Sequence, residues 1–296
     1  MDERGWLADR FEEQRPRLRA VAYRMLGSLA DADDAVQDAW LRLSRSDASE
    51  IENLAAWLTT VVSRVCLNQL RARGVRREEA YGTGLPDPEV SPDAGDRPAD
   101  EAVLADSVGL ALLVVLDTLT PAERLAFVLH DMFGVPYQEI AGVVGRSPDA
   151  ARQLASRARR RVRGAQVPDA DPDPVRQRAV VDAFFQAARA GDFDRLVSLL
   201  DPAAVLRADL GEGRRDRTAV VRGAAEVARR AVIGAQPEAE LHPALVNGSA
   251  GVVITLRGRP HAVMGFTVAG GRIAEITVIS GRDRVQRVAA AVLDPR

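Results

Sequence analysis

Lysine is absent from this chain: all 40 basic residues are arginine, set against 42 Asp and Glu. The formal net charge of −2 excludes a uniformly basic nucleic-acid binder, so local charge asymmetry matters more than the total. An arginine can clamp a phosphate bidentately where a lysine is a point charge. The dominance of Ala, Arg, Val, Gly and Asp, however, points first to GC-rich coding. Cysteine occurs once, at Cys66, which excludes an internal disulfide and any cysteine-cluster metal site. Its apolar helical context makes it a packed side chain. Aromatics are only 4%, so cores must come from Val, Leu, Ile and Ala, and a hydrophobic fraction of 47% suffices to build them. The longest apolar run, Val108–Leu116, falls far short of a membrane span. Met1–Arg10 is charged and has no signal-peptide core. A cytoplasmic location with no membrane partner is the expectation. His130, His242 and His261 are the only histidines, and no two have helical metal-ligand spacing, so no metal and no other cofactor is expected.

A length of 296 residues suits two or three small domains. Two stretches break the helical pattern. Residues 75–101 hold four prolines and eight acids against three arginines, and residues 164–174 read GAQVPDADPDP. Pro and Asp clusters of this kind mark linkers. The expected organisation is a helical domain over 1–74, an acidic Pro-rich linker over 75–103, a second helical domain over 104–163, a linker over 164–174 and a third domain over 175–296.

In the first segment Leu18, Val21, Ala22 and Met25 follow i, i+3, i+4, i+7, with Gly27 as a stop. Further helices are predicted over Ala32–Leu43 and Leu54–Arg73. On the former, Ala32, Val36, Ala39, Trp40 and Leu43 share a buried face. Asp34, Gln37, Asp38 and Leu41 share the other, and an exposed Leu among acids suits a protein partner; taken alone, the segment reads first as an ordinary amphipathic helix. On the latter, Thr60, Arg64, Asn68 and Arg71 recur at i, i+4, i+8, i+11, mixing hydrogen-bonding and cationic groups as a base- and phosphate-reading surface would. A solvated face has the same pattern.

In the second segment, Thr120-Pro121-Ala122-Glu123 is a capping box with Pro at the first helical position. Tyr137–Arg159 then has a helix-turn-helix pattern: Ala141 is small where the helices touch, Gly145 turns the chain, and Ala151 and Leu154 pack. The last helix carries Arg146, Arg152, Arg157, Arg159, Arg160, Arg161 and Arg163 against one acid, Asp149. Such a helix can enter the major groove and hold flanking phosphates.

The third segment is predicted as helices over Val175–Ala190 and Phe193–Leu200, followed by strands Ala204–Leu210, Glu240–Val246, Gly251–Leu256, His261–Val268 and Ile273–Ile279. Helices followed by a mostly antiparallel sheet make an α+β domain. The predicted fold class is therefore multidomain: two all-α domains and a C-terminal α+β domain.

The ordered set DADDAVQDAWLRL, NLAAWLTTVVSRVCLNQLRAR and LTPAERLAFVLHDMFGVPYQEIAGVVGRSPDAARQLASRARRRV resembles the two-domain core of extracytoplasmic-function (ECF) RNA polymerase sigma factors, over about residues 9–163. The resemblance implies an alternative sigma factor that binds core RNA polymerase at its β′ clamp helices and β flap, recognises promoter DNA and makes no bonds itself. It implies polymerase contacts at Asp31, Asp34, Val36, Gln37, Asp38, Leu41 and Leu43. It places −10 recognition, with a flipped base, on residues 44–53 and the helix bearing Thr60, Arg64, Asn68 and Arg71. It places −35 recognition on the helix bearing Arg146, Ser147, Arg152, Gln153, Ser156, Arg157, Arg159, Arg160 and Arg161.

Residues 175–296 resemble the SnoaL-like fold, helices packed into a cone-forming sheet. A subgroup of these sigma factors carries such a domain in place of a separate anti-sigma protein. Its Leu-Pro-x-Pro linker signature stands here as Leu85, Pro86, Asp87, Pro88. Its Gly-rich Asp motif is matched loosely by Asp209, Gly211 and Gly213, and its late signature by the stretch around Asp283. The resemblance implies that these residues form a regulatory contact acting in cis. An unidentified small ligand in the cone is a further partner it allows. The rival reading is a DNA-targeted SnoaL-like enzyme or small-ligand sensor, in which Asp209, His242 and His261 would be the acid/base candidates; a plain repressor would leave the Asp31–Leu43 partner face unexplained.

Overall fold

The computed structural model describes residues 3–46, 51–77, 85–93, 110–165, 168, 170–211 and 218–294. These fall into two compact units. One gathers the two helical segments, and the other gathers residues 85–93 with everything from residue 170 onward.

In the first unit, α1 (Glu3–Leu26), α2 (Leu29–Leu43) and α3 (Leu54–Arg77) pack on one another. Leu18, Val21, Ala22 and Met25 are buried, as their spacing predicts. Helix α2 starts three residues earlier than Ala32, because the Ser28 hydroxyl accepts the Asp31 amide as an N-cap. Helix α3 buries Leu58, Val61 and Val65 and adds Val62, Cys66 and Leu67. Burial pushes the Cys66 thiol up to about 12, so it stays a packed, protonated side chain.

Four helices follow: α4 (Leu110–Leu116), α5 (Pro121–Phe127), α6 (Tyr137–Val144) and α7 (Pro148–Gly164). A π-helical turn over Val128–Met132 extends α5. Thr120 and Glu123 close the capping box of α5. Gly145 stops α6 with φ at 68°, a left-handed geometry that costs other residues strain. Ala141, Ala151 and Leu154 are buried, as the helix-turn-helix pattern requires.

The two helical segments share one packed seam. Helix α3 lies against α5 and α6. Arg124, only 2% exposed, donates to the Arg24 carbonyl at 3.0 Å and to Asp117 at 3.1 Å. Arg17 reaches the Phe133 carbonyl at 3.2 Å.

The second unit is α+β. Helices α8 (Pro174–Ala190) and α9 (Phe193–Leu199) lead into β2 (Leu200–Asp209), β3 (Thr218–Arg222), α10 (Ala224–Gly234), β4 (Ala239–Val246), β5 (Ser249–Leu256), β6 (Arg259–Ala269) and β7 (Arg272–Ser280). Short helices α11 (Arg282–Val288) and α12 (Ala290–Leu293) end the described chain. Strand β1 (Val90–Pro92) joins them, and the order among the described residues is β1-β4-β5-β6-β7-β2-β3. Every pairing is antiparallel except β2 with β7. One core gathers Phe184, Leu196, Val227, Phe266, Ile273 and Ile276 from α8–α10 and the sheet. Helix α11 packs on β6 and β7, while α12 packs on β1. Gly251 is required in β5: a Cβ there would lie 2.4 Å from a Val246 methyl and 2.7 Å from the Met264 carbonyl oxygen.

The sequence pattern missed β1, β3, α10, α11 and α12. It also treated residues 75–103 as one linker, whereas residues 85–93 are built into the second unit. Val90, Ser91 and Pro92 pair with Val246, Leu245 and Ala244. A three-residue strand containing Pro has no periodicity to detect, and β4, far along the chain, supplies its ladder.

Candidate functional site

The outward face of α2 is as the helical spacing predicts. Asp34, Gln37 and Asp38 are exposed, and Leu41 keeps 41% of its surface in solvent. Two residues of the expected polymerase set do not belong to this face. Val36 (3% exposed) and Leu43 (0%) point into the bundle core, so they support the helix without being able to touch a partner. Asp31 is half-buried and paired with Arg73 at 2.6 Å, a structural tie between α2 and α3.

On α3, Arg64, Asn68 and Arg71 are exposed and Thr60 is half-buried, all on the side away from the bundle core. Arg64 donates to the Gly142 carbonyl of α6 at 3.2 Å, so it is engaged by the helix-turn-helix itself.

Helix α7 departs most from its expected charge pattern. Ser147 caps it, accepting the Ala150 amide at 3.2 Å. Arg146, Arg152, Gln153, Arg160 and Arg163 are exposed, and Ser156 is half-buried. Arg157, Arg159 and Arg161 are not the free cations the sequence suggests. Glu123 of α5 takes Arg157 at 3.1 Å and Arg161 at 2.7 Å, while Asp131 takes Arg159 at 2.8 Å. The sequence count of one opposing acid therefore fails in three dimensions. Burial alone would raise the Glu123 carboxyl. Hydrogen bonds from Thr120 and Arg157 and the charge of Arg161 outweigh it and hold the carboxyl below its usual value. With a lowered folded value, this stabilisation is present above the ordinary carboxylate range and lost as pH falls through the folded value.

In the second unit the expected regulatory residues meet, with one substitution. Asp209 is 0% exposed and accepts the Leu85 amide at 3.0 Å and the Gly211 amide at 3.0 Å. Arg284, not Asp283, is its ion-pair partner, at 2.6 Å. Arg284 also pairs with Asp87 at 2.5 Å and donates to the Leu85 carbonyl. Asp283 is exposed, because its side of α11 faces solvent. Leu85 and Pro88 are buried and Pro86 half-buried; Gly213 lies outside the described residues. Asn247 and Arg178, both missed in the sequence, complete the hold. Asn247 accepts the Glu89 amide at 2.7 Å through its side chain. Arg178 pairs with Asp93 at 2.8 Å and donates to the Ala244 carbonyl at 2.7 Å. The Asn247-Gly248 dipeptide is readable as a two-residue hairpin turn; its bond to a residue 158 positions away is not.

A cavity of about 220 Å³ lies in the same unit, lined by Phe184, Phe185, Leu206, Met264 and His261 among others. Neither Asp209 nor His242 lines it. His242 sits against the Thr255 hydroxyl at 3.0 Å. The three acid/base candidates are thus not brought together. No group of three or more His, Cys, Asp or Glu suited to a metal occurs among the described residues.

A three-helix bundle with an exposed acidic-Leu face, followed by a capped helix-turn-helix, defines a promoter-directed protein of the sigma-70 class. Family models agree: Sigma-70 region 2 matches residues 10–76 and Sigma-70 region 4 matches residues 109–162. The ECF RNA polymerase sigma factor SigJ of Mycobacterium tuberculosis is 42% identical over 283 residues, 92% of this chain and 88% of that protein. The probable ECF RNA polymerase sigma factor SigI of the same organism is 36% identical over 261 residues, 88% of each chain. The crystal structure of M. tuberculosis SigJ superposes with a TM-score of 0.73 at 38% identity, covering 94% of this chain and 97% of that one. This chain belongs to the ECF RNA polymerase sigma factors, alternative sigma factors that act in transcription initiation.

Proposed function

We propose that this sigma factor docks on core RNA polymerase, at the β′ clamp helices, through Asp34, Gln37, Asp38 and Leu41. Region 4 meets the β flap. Thr60, Arg64, Asn68 and Arg71 read the opened −10 element, and Arg146, Arg152, Gln153 and Arg160 read the −35 element. The observation that carries the docking is Leu41, a large apolar side chain left exposed among acids on a helix whose other face buries Ala32, Val36, Ala39 and Leu43. Truncating a central apolar anchor commonly costs about 1–2 kcal/mol or more. Leu41→Ala and Asp38→Arg should each weaken core binding in fluorescence anisotropy with the fold intact. Unchanged affinity in both would remove the docking face.

The third domain acts in cis on this machinery. In this reading the acidic linker threads into the polymerase toward its active centre, where negative charge can mimic nucleic acid. Its residues 85–93 cannot be threaded there while paired to β4 and gripped by Arg284. Held and threaded states are mutually exclusive, so the domain's affinity for the linker biases promoter output. Covalent tethering, with an effective concentration of roughly millimolar, makes even a modest grip well populated. The protein works in the cytoplasm and performs no chemistry of its own; the enzyme reading finds no support in Asp209, whose carboxylate is spent on Arg284 and on the Leu85 and Gly211 amides. Run-off transcription with core polymerase tests the reading. Ending the chain at Arg163 should change promoter output strongly relative to the full chain. Equal output from both would leave the third domain without a regulatory role.

A further inference from the structure

Within the −35-reading surface, Arg146 and the arginines of α7 differ in how they are held. The side chains of Arg146, Arg160 and Arg163 make no ion pair or hydrogen bond among the described residues, and Arg159 is held by Asp131 at 2.8 Å. Arg157 and Arg161, one helical turn apart, converge on a single carboxylate. Glu123 offers Oε1 to Arg157 at 3.1 Å and Oε2 to Arg161 at 2.7 Å. The same Oε2 also accepts the Thr120 hydroxyl at 2.8 Å and the Thr120 amide at 3.2 Å. The Glu123 side chain is only 5% exposed, while those of Arg157 and Arg161 are 42% and 51% exposed.

The burial of Glu123 decides which pairs yield to DNA. Arg152 also has an acidic neighbour, Asp149 at 2.8 Å, but those side chains are 60% and 83% exposed. A solvent-exposed pair of that kind is worth little and gives way easily to a phosphate or a base edge. Pulling Arg157 and Arg161 from Glu123 would instead leave a buried carboxylate without its cationic partners, which is far more costly.

We propose that Glu123 is a positioning residue that sets the effective charge of the recognition helix: it withholds Arg157 and Arg161 from phosphate neutralisation and so favours base discrimination over sequence-independent affinity. Each phosphate neutralised adds affinity for any DNA, specific or not. Two withheld arginines lower that common background without touching the base-reading residues on the exposed face. The inference rests on the proposed −35 role of α7.

The test is promoter binding by the full chain assembled with core polymerase, with the slope of log affinity against log salt as readout. E123Q keeps the capping box, since Gln serves at that position, but removes the charge. Its slope should steepen by up to about 1.8, about 0.9 for each of two arginines. The affinity ratio between a promoter and the same DNA with a scrambled −35 element should fall. The double variant R157Q/R161Q should leave the wild-type slope within about 0.5 of its value, well under one phosphate, and E123Q added to it should change nothing further. The proposal is overturned if E123Q leaves the slope unchanged or makes it shallower, or if R157Q/R161Q loses about 1.8 from it. The double variant decides the matter even where E123Q does not fold. Wild-type holoenzyme that shows no preference for the intact −35 element would overturn the −35 surface itself, and this inference with it.

Discussion

Replacing Arg284 with Ala should destabilise the second unit by about 3–5 kcal/mol, the usual cost of stranding a buried charge. Asp209 is fully buried and Arg284 is its ion-pair partner. The Leu85 and Gly211 amides remain as donors, but neither carries a full charge. The same change removes the grip on Asp87 and on the Leu85 carbonyl. Two effects should therefore appear together. The urea midpoint of the second unit falls, and amide hydrogens of residues 85–92 exchange faster than those of β5 to β7. Arg284→Lys should recover part of the stability, since an ammonium restores charge but not the planar fork that reaches several acceptors at once. An unshifted midpoint with unchanged exchange at Leu85 and Glu89 would show that the Arg284 cluster holds neither the domain nor the linker.

Arg124→Met is expected to cost the first unit about 3 kcal/mol. Methionine fills much of the volume of the arginine stem, so the loss is mostly polar. The Arg24 carbonyl and Asp117 lose a donor that is 2% exposed. Asp117 is 23% exposed and water can reach it, which places the cost at the low end for a broken buried pair. For a unit of this size the melting temperature should drop by roughly 6–12 °C, at about 2–4 °C per kcal/mol. Asp117→Asn combined with Arg124→Met should cost less than the two changes summed, because both remove one interaction. A melting temperature unmoved by Arg124→Met would mean that the seam between the two helical segments does not depend on this side chain.

Periodicity and capping chemistry determine much of this protein from the sequence alone. The 3.6-residue repeat of apolar side chains fixes α1 to α3 and their buried faces, because a helix must hide its apolar stripe whatever it packs against. Thr120, Pro121, Glu123, Gly145, Ser147 and Pro148 fix where the region 4 helices start and stop, since capping involves only neighbouring residues. The exposed Leu41 and the outward Thr60, Arg64, Asn68 and Arg71 follow from the same local geometry. Tertiary structure decided what depends on residues far apart in the chain. Arg157, Arg159 and Arg161 look like free cations in sequence, because the acids that neutralise them, Glu123 and Asp131, lie on α5 and its π-helical extension, with all of α6 in between. Val36 and Leu43 are core residues, as their place on the apolar face of α2 already indicates, although the family resemblance counts them among the polymerase contacts. The segment from Leu85 to Pro92 has linker composition and no period of its own. It becomes part of a sheet because Val246, Leu245, Asn247, Asp209 and Arg284, more than a hundred residues later, supply the hydrogen bonds and the charge that its backbone lacks.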